Sequence, residues 1–481
     1  MRQIQFIIAF LICSIWVNAS SPTENMVNNA LLDNANISLM VRDLKTGETL
    51  YSIRPTHSAM PASTMKLITT ATALEILGKD FRFKTDLLIN GKVGADSTLD
   101  GDIIISGGGD PTLGSSRMGD SDFLNKWALA VKKAGIKKVN GSIIADEALF
   151  DHEGVNPAWL WDDMGNYYAA GAYGLAYLDN QFQLVLKSNA PGTRPSILRT
   201  IPEIPELEFD NQLTCGNINF DSAFFHAAPK SNIRSIYGKI PANKAEFIVK
   251  GDIPNSSLLL AKHFQYQLSG LGIEVKGLPK VNSDTLLKGD TIFRMYSPTL
   301  KDIITETNVK SNNLYAEHLF RFLGSTKARQ GNAACAIKVI KEYWKDKGLS
   351  TDQLFLNDGS GLSPANGVSA KFYVDLLTYM RTKSKNDSTF YHSLPVAGES
   401  GTLKNFLKNT SLQGKVHAKS GTIARVKCYA GYLDTSTQSL AFAILINNSN
   451  GNYKAVTQKM EDFLLEISNA THHSLHKKRK R

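Results

Sequence analysis

The sequence predicts a mixed α/β fold, with helices and strands towards both ends of the chain and a β-rich middle. Apolar residues recur at helical spacing near the start and again after Pro298, and alternating strand patterns flank those helices. Between residues 83 and 290, short strands and glycines dominate. A length of 481 residues, with 42% hydrophobic and 20% charged residues, suits a globular protein of two or three domains.

Residues 1–19 have the pattern of a secretory signal peptide. Arg2 supplies the positive charge, and the apolar run from Ile4 to Val17 is short for a membrane span. Val17-Asn18-Ala19 offers a small-residue cleavage site. We therefore expect an exported protein, soluble or peripherally attached, on the periplasmic or cell-wall face.

Residues 20–82 have the pattern of a β-hairpin followed by a helix. Ile37–Asp43 and Glu48–Ile53 alternate apolar and polar residues around Lys45-Thr46-Gly47, which predicts a β-hairpin. A helix follows, with Pro61 as a start signal and Gly78 as a stop signal. Its apolar spacing indicates one buried stripe, formed by Leu67, Ala71 and Leu74.

Residues 83–290 are rich in short strand patterns and glycines. Gly101–Ser106 reads as a strand that runs into Gly107–Gly109. A proline follows at position 111 and no Gly-Lys-Ser/Thr is present, so we expect a tight structural turn rather than a phosphate loop.

Residues 291–468 are predicted to be mainly helical, with strands and a last helix near the end. Helical patterns follow Pro298, and Lys427–Leu433 and Leu440–Ile446 read as paired strands. A strongly amphipathic helix then runs to Ile467. Residues 469–481 form a basic tail that we expect to be disordered.

The overall charge and the cysteines exclude several classes of protein. The net charge of +10 is spread along the chain apart from the tail, and we predict no nucleic-acid partner. Cys215, Cys335 and Cys428 would remain after cleavage, an odd number that leaves open whether one bridge forms. No Cys/His cluster has the spacing of metal ligands, so we predict neither a metal nor a cofactor.

Ser63 and Lys66 are the first candidates for chemistry. A separation of three residues places them on one face of a helix, a turn apart. A serine hydroxyl becomes a good nucleophile only when a base takes its proton. A lysine is that base only if desolvation or a nearby cation lowers its pKa. A buried helix start supplies the desolvation.

Two later motifs complete a possible active site. Ser311-Asn312-Asn313 and Lys419-Ser420-Gly421-Thr422 follow Ser63-Thr64-Met65-Lys66 in the order S-x-x-K, S-x-N and K-[ST]-G. Each motif alone is weak. The chain also contains Lys45-Thr46-Gly47 and Ser384-Lys385-Asn386, and a further S-x-x-K begins at residue 474. Order and context separate the chosen set: Ser63 opens a buried helix, Ser311 precedes one, and Lys419 precedes paired strands.

The chemistry gives each residue a predicted role. Ser63 attacks a carbonyl, Lys66 takes the proton, and Lys419 keeps Lys66 neutral by repulsion. Ser311 passes a proton to the leaving amine. Asn313 holds either the substrate amide or Lys66. The other candidates bind substrate: Gly421 as part of the motif strand, the Ser420 and Thr422 hydroxyls its carboxylate, and the Ser63 and Thr422 N–H groups the oxyanion.

A Ser-His-Asp triad is the rival hydrolase design. No G-x-S-x-G elbow is present, and His57, His318 and His417 are isolated in the sequence. Asp146, at a predicted strand end, is a weaker candidate for contact with a substrate amino group, although a turn role is more common for such a residue.

Longer segments carry a family resemblance: Ser106–Thr112, Asp358–Ser363, Leu394–Gly398 and Val416–Gly421. With the three motifs they resemble the class C low-molecular-mass penicillin-binding proteins, the D-alanyl-D-alanine carboxypeptidase/endopeptidase family. The gap from Lys66 to Ser311, 311 − 66 = 245 residues, matches that family's two inserted domains. The resemblance therefore implies a main domain built from residues 20–82 and 291–468. It also implies an insertion at residues 83–290 that forms two nested domains, the inner one at about 147–245. The resemblance implies a serine β-lactamase/transpeptidase-like domain, an antiparallel sheet flanked by helices.

The resemblance also implies a function. We expect an exported serine peptidase that cleaves the terminal D-Ala–D-Ala bond of peptidoglycan stem peptides, with D-amino-acid cross-links as a further substrate, and that is acylated by β-lactams. Asn312 replaces the family's usual Asp and Ser420 its usual Thr, and neither change removes a predicted proton carrier or hydroxyl. Pro364 stands where relatives often have Arg, which implies an altered pocket for the stem-peptide side chain. The alternatives are a β-lactamase or esterase on the same scaffold and a non-catalytic wall-binding protein.

Overall fold

The structure is a computed structural model that describes residues 21–28, 30–450 and 452–478, with side chains as far as residue 469. The predicted signal peptide lies outside these residues. None of the helices in the described ranges combines the length and the apolar content that a bilayer crossing requires.

The amino-terminal segment contains the predicted hairpin and the predicted buried helix. Its elements are α1 (Pro22–Val27), β1 (Asn36–Asp43), β2 (Thr49–Ile53), β3 (Ser58–Ala59) and α2 (Met65–Leu77). β1 and β2 pair antiparallel, which confirms the hairpin. α2 departs from the predicted single stripe because residues 65–74 are buried on every face, at the centre of the core.

The middle of the chain forms a mixed sheet and several smaller ones. Its elements are β4 (Lys84–Val93), β5 (Thr98–Ser106), α3 (Phe123–Lys133), β6 (Lys138–Val139), β7 (Ile143–Asp146), β8 (Gln181–Lys187), β9 (Ser196–Ile201), β10 (Glu208–Asn211), β11 (Thr214–Gly216), β12 (Phe224–His226), β13 (Ile233–Tyr237), β14 (Lys239–Pro241), β15 (Phe247–Asp252), α4 (Ser256–Gly270), β16 (Glu274–Val275), β17 (Lys280–Asn282) and β18 (Asp290–Tyr296). β4–β7 and β16–β18 share one seven-stranded sheet, whose core includes side chains of α3 and α4.

The carboxyl-terminal segment is mainly helical before it returns to the first sheet. Its elements are α5 (Leu300–Lys310), α6 (Asn313–Ser325), α7 (Ala333–Asp346), β19 (Leu354–Phe355), β20 (Gly367–Ser369), α8 (Ala370–Thr382), α9 (Asp387–His392), β21 (Val416–Ile423), β22 (Val426–Asp434), β23 (Ser439–Asn447) and α10 (Tyr453–Lys478). α10 continues through most of the predicted basic tail, since no proline or glycine interrupts its sequence there.

One sheet joins the two ends of the chain. Its order is β2-β1-β23-β22-β21, and every neighbouring pair is antiparallel. α2 and α8 pack on one face, and α1 and α10 pack on the other. The predicted α/β class, an antiparallel sheet flanked by helices, is therefore confirmed. The sheet memberships support the division into a two-part domain and a nested insertion, which stays a prediction.

The glycine run after β5 is a structural turn. A Cβ at Gly108 would lie 1.7 Å from the Lys84 carbonyl oxygen, so only glycine fits there. The buried Asp110 carboxylate accepts the backbone N–H of Thr112 at 2.8 Å and closes the turn. Cys215, Cys335 and Cys428 are all free thiols, which answers the question that the odd cysteine count left open.

Candidate active site

Ser63 lies in a short 3-10 turn, Ala62–Thr64, immediately before α2. Lys66 follows in the first turn of α2, and its Nζ donates to Ser63 Oγ at 3.0 Å. The i, i+3 spacing thus places the amine directly against the hydroxyl, as the sequence predicts. Ala62 has a left-handed φ of 45°, a strained conformation that turns the chain sharply just before Ser63.

Lys66 is buried and is held by three acceptors. Besides Ser63, its Nζ donates to Asn313 Oδ1 at 2.7 Å and to the Ser360 carbonyl oxygen at 2.6 Å. Burial lowers the pKa of Lys66 to about 7, and the carboxylates of Asp358 and Glu317 partly oppose that shift. Desolvation, rather than the predicted repulsion by Lys419, is therefore the main cause of the lowered pKa.

Ser311 and Lys419 form a second hydroxyl–amine pair. Lys419 Nζ donates to Ser311 Oγ at 2.9 Å. Ser311 has a left-handed φ of 57° in the link between α5 and α6, where Asn312 caps α6 through the backbone N–H of Tyr315. Burial, and secondly the charge of Lys66, lowers the pKa of Lys419 well below its ordinary value. An Asn at position 312 thus keeps a cap that Asp would also supply.

β21 carries the third motif past the start of α2. A Cβ at Gly421 would lie 2.5 Å from the Pro61 carbonyl oxygen and 3.1 Å from the Ser63 nitrogen. Glycine at this position therefore permits the strand to approach the Ser63 backbone. Ser420 Oγ donates to Thr402 Oγ1 at 2.8 Å, and Lys427 Nζ donates to Thr422 Oγ1 at 3.0 Å.

A cavity of about 610 Å³ opens in front of these groups. The Ser63 and Ser311 hydroxyls lie in its wall, and three further segments complete the lining. The lining residues are Met60, Ser63, Leu160, Asp162, Asp163, Tyr168, Ser311, Asn313, Gly361, Leu362, Pro364, Thr422, Ile423 and Ala424. The lining contains two carboxylates and neither lysine nor arginine. Pro364, where the resemblance leads one to expect Arg, is part of this lining.

The predicted catalytic and substrate-binding residues converge around this cavity. The sequence reasoning missed two sets of groups. Glu317 and Asp358 are buried carboxylates whose charges act on Lys66. In the sequence, Glu317 lies in a helical pattern and Asp358 in a Gly-Ser loop, and neither position predicts a chemical role. Asp163 and Tyr168 come from the middle of the chain, and only the structure brings that segment to Ser63. The Tyr168 carbonyl accepts Asn313 Nδ2 at 2.8 Å, which ties this segment to the second motif.

Several weaker candidates lie elsewhere. Asp146 is buried at the end of β7 and accepts from Asn282 and the Leu287 N–H, so the suggested contact with substrate is wrong and the turn role is right. His417 stacks on Tyr391 with ring centroids 4.1 Å apart. His318 is buried with its Nδ1 3.0 Å from the Gly109 carbonyl oxygen.

The alternative motif copies are also explained by local structure. Lys45-Thr46-Gly47 forms the turn between β1 and β2, where Asp43 Oδ1 accepts two backbone N–H groups. Ser384 bonds to Glu75 instead of a lysine. The S-x-x-K that begins at residue 474 lies where side chains are not described.

Comparison with known sequences identifies the family. The model of the D-Ala-D-Ala carboxypeptidase 3 (S13) family matches residues 22–467. The chain belongs to this family. The S13 chain is 30% identical over 442 residues to the D-alanyl-D-alanine carboxypeptidase of Actinomadura sp. (strain R39), covering 89% of this chain and 80% of the relative. The predicted enzyme class, a serine-type D-Ala-D-Ala carboxypeptidase, is therefore confirmed.

Other relatives agree along most of the S13 chain. D-alanyl-D-alanine carboxypeptidase DacB of Haemophilus influenzae is 25% identical over 460 residues, 92% of this chain and 93% of the relative. The crystal structure of penicillin binding protein 4 (dacB) from that organism superposes with a TM-score of 0.80, at 23% identity, over 93% of this chain and 99% of that one. The predatory endopeptidase Bd3459 of Bdellovibrio bacteriovorus gives a TM-score of 0.50 at 15% identity, over 91% and 93%. These two structures show the shared fold.

Proposed function

We propose that this S13 chain cleaves the terminal D-alanyl-D-alanine bond of peptidoglycan stem peptides through an acyl-enzyme on Ser63. The observation that carries the proposal is the contact between Lys66 Nζ and Ser63 Oγ, 3.0 Å apart, with a lysine pKa of about 7. An amine with that pKa is neutral in a large fraction of molecules at neutral pH, so it can accept the serine proton.

Acylation begins when Lys66 Nζ takes the Ser63 proton and the oxygen attacks the penultimate D-Ala carbonyl. The backbone N–H groups of Ser63 and Thr422 receive the oxyanion. The close approach of β21 at Gly421 supports this pairing of donors. Collapse of the tetrahedral intermediate breaks the peptide bond and leaves the acyl group on Ser63.

The leaving amine needs a proton, and the Ser311–Lys419 pair is placed to provide one. Ser311 Oγ gives its proton to the amine and regains one from Lys419 Nζ, 2.9 Å away. The hydroxyls of Ser420 and Thr422 bind the terminal carboxylate, which Lys419 also attracts. Asn313 holds Lys66 and the substrate amide. Water then attacks the acyl carbonyl and gives its proton, through Ser311, to Lys419, which lost one during acylation. The Lys66 ammonium returns its proton to Ser63 Oγ as the acyl bond breaks, so the acid leaves and both lysines regain their starting states.

We further propose that the substrate carries a positive charge near the cleaved bond. The cavity lining holds Asp162 and Asp163 without a lysine or arginine. Asp163 Oδ1 accepts the Tyr168 hydroxyl at 3.2 Å, which orients its carboxylate. A free side-chain amine on the stem peptide would meet this acidic surface.

Replacing Asp163 with Asn should test that assignment. We expect the KM for a D-Ala–D-Ala peptide with a free side-chain amine to rise about fivefold to tenfold, a loss of roughly 1 kcal/mol that is typical of a partly exposed charge pair. The same peptide with its amine acetylated serves as the control, and its KM should be unchanged. Equal effects on both peptides would contradict a charge contact.

Several finer features belong to the same proposal. β-Lactams acylate Ser63 because their ring amide resembles the scissile bond, and D-amino-acid cross-links between stem peptides are a second substrate. We place the enzyme outside the cytoplasm, on the periplasmic or cell-wall face, where that substrate is found. The signal-peptide pattern of residues 1–19 supports this location.

Ser63→Ala tests the function directly. The wild-type protein should become covalently labelled by a fluorescent penicillin and release D-Ala from a D-Ala–D-Ala peptide, and Ser63→Ala should do neither. Ser269→Ala, an exposed hydroxyl on α4 that bonds only locally, to the Tyr266 carbonyl, is the matched control and should keep both activities. Rapid penicillin turnover would favour a β-lactamase. Absence of any Ser63-dependent label or product would favour a wall-binding protein.

A further inference from the structure

Two carboxylates are buried behind Lys66. Glu317 lies on α6 with 3% of its surface exposed, and Asp358 begins the loop of residues 358–363 with none exposed. Buried carboxylates are costly unless hydrogen bonds or a positive charge compensate them. Each of these two therefore calls for a structural or chemical reason, and their contacts differ.

Asp358 has a structural explanation. Its two oxygens accept four donors, all at 2.7–2.8 Å: the backbone N–H groups of Gly361 and Ser363, Asn366 Nδ2 and Trp159 Nε1. This carboxylate closes its own loop and joins it to the segment around Trp159. Its hydrogen-bond capacity is thus used within the loop and its packing partners.

Glu317, on α6, accepts hydrogen bonds from the same loop. Its Oε1 accepts the backbone N–H of Ser360 at 2.7 Å and that of Gly359 at 3.1 Å. The carbonyl of Ser360 in turn accepts Lys66 Nζ at 2.6 Å. A single residue, Ser360, therefore connects the Glu317 carboxylate to the amine of the catalytic base. Polarised chains of this kind strengthen each hydrogen bond within them.

We propose that Glu317 is a positioning residue for Lys66, which holds the Ser360 carbonyl on the amine and stabilises the ammonium formed when Lys66 takes the Ser63 proton. This assignment rests on the proposed function, since it needs Lys66 to act as the base. Glu317 is not among the residues that line the cavity, and its carboxylate bonds to the loop, so its effect passes through the loop and through its charge.

The surrounding charges define the sign of the effect. Glu317 interacts with Asp358 from the loop, with Arg321 one turn later on α6 and with Lys66 on α2, and Lys66 in turn interacts with Lys419 on β21. Burial and the charge of Asp358 raise the pKa of Glu317 to about 7. Ionised Glu317 raises the pKa of Lys66, so its removal should lower the lysine pKa and make the amine a weaker base.

Glu317→Gln is the informative variant, measured as the pH profile of the acylation rate with a fluorescent penicillin. The neutral amide keeps the size of the side chain and one oxygen that can accept the Ser360 N–H. We expect the acid limb of the profile to move roughly one unit to lower pH, because removal of an opposite charge in a buried site lowers a lysine pKa by that order. The plateau rate should fall severalfold, by about tenfold at most, since one unit of base strength changes a proton-transfer rate by no more than that.

Glu306→Gln is the matched control. It removes the same charge from the neighbouring helix α5, where Glu306 pairs with Arg117 at 3.0 Å. Its profile should coincide with the wild-type profile. Glu317→Ala, which also removes the acceptor for both loop N–H groups, should lower the plateau further than Glu317→Gln, and thermal unfolding of each variant shows whether the fold is kept.

The outcomes separate this inference from the function on which it rests. If Glu317→Gln has the same acid limb and the same plateau as the wild type, the role of Glu317 is overturned and the peptidase proposal stays intact. A plateau that falls without any movement of the acid limb would also overturn it, because a loosened loop alone explains that result. Wild-type protein that takes no label would instead remove the proposed function.

Discussion

Lys66→Ala should lower the rate of acylation by penicillin roughly 10²- to 10⁴-fold, the usual range for loss of a positioned general base. The amine lies 3.0 Å from Ser63 Oγ, and the other nearby amine, Lys419, bonds to Ser311 instead. No group at hydrogen-bonding distance from Ser63 among the described contacts would replace it as a base. The rate can be followed by stopped-flow labelling, and thermal unfolding should show a folded protein, since burial of an amine is itself costly.

Lys79→Ala provides the comparison for that variant. Lys79 follows the end of α2 with 55% of its side chain exposed, and it forms an ion pair with Asp80 at the surface. Its removal deletes a lysine side chain just beyond α2 without touching Ser63, so the labelling rate should stay within a factor of two of wild type. Normal labelling kinetics for Lys66→Ala would exclude the lysine as the base.

Gly361→Ala should be the most damaging small substitution near the site. Gly361 has a left-handed φ of 82°, and a Cβ there would lie 1.8 Å from the Ala62 carbonyl oxygen. The Ala62 carbonyl belongs to the backbone, so it cannot move away from the added Cβ without displacing Ser63, the next residue. We expect a loss of about 3 kcal/mol in the free energy of unfolding from overpacking and backbone strain together, and penicillin labelling should be lost with it.

Gly348→Ala separates the stability loss caused by backbone strain from the stability loss caused by overpacking. Gly348 has nearly the same φ, 85°, but an added Cβ there meets no atom within 4 Å. This variant carries the backbone strain alone, about 1 kcal/mol, and should keep full labelling. Denaturant unfolding of both variants gives the comparison. Equal stability losses would show that the contact with Ala62 relaxes at little cost.

The sequence predicts the main domain well because its signals are local. The β1–β2 hairpin follows from alternation around a Lys-Thr-Gly turn, and α2 follows from a proline start and a glycine stop. The pairing of strands from the two chain ends is not predicted by local signals. β1 pairs with β23 from Asn36↔Asn447 to Asp43↔Leu440, a register that no local pattern specifies. The motif order along the chain, rather than periodicity, suggested that these ends meet.

The site could be predicted where chemistry restricts the residue type. A serine and a lysine three apart on a helix are adjacent whatever the rest of the fold does. Glu317 carries no such signal, because a glutamate on an amphipathic helix is normally solvated. Its importance arises from burial, which only tertiary packing determines. The same holds for Asp163, which reaches the cavity through the path of the inserted segment.

The indole bond from Trp159 to Asp358 bears on how far this enzyme could be shortened. Excising residues 83–290 would leave an uninterrupted sheet and all three motifs, yet it would strip a fully enclosed carboxylate of one of its four donors. Asn313 would lose the Tyr168 carbonyl at the same time. A truncated peptidase of this kind would keep its reactive groups but lose hydrogen bonds that fix the positions of Asp358 and Asn313. The middle of the chain thus supplies hydrogen bonds that hold the surroundings of the catalytic centre in place.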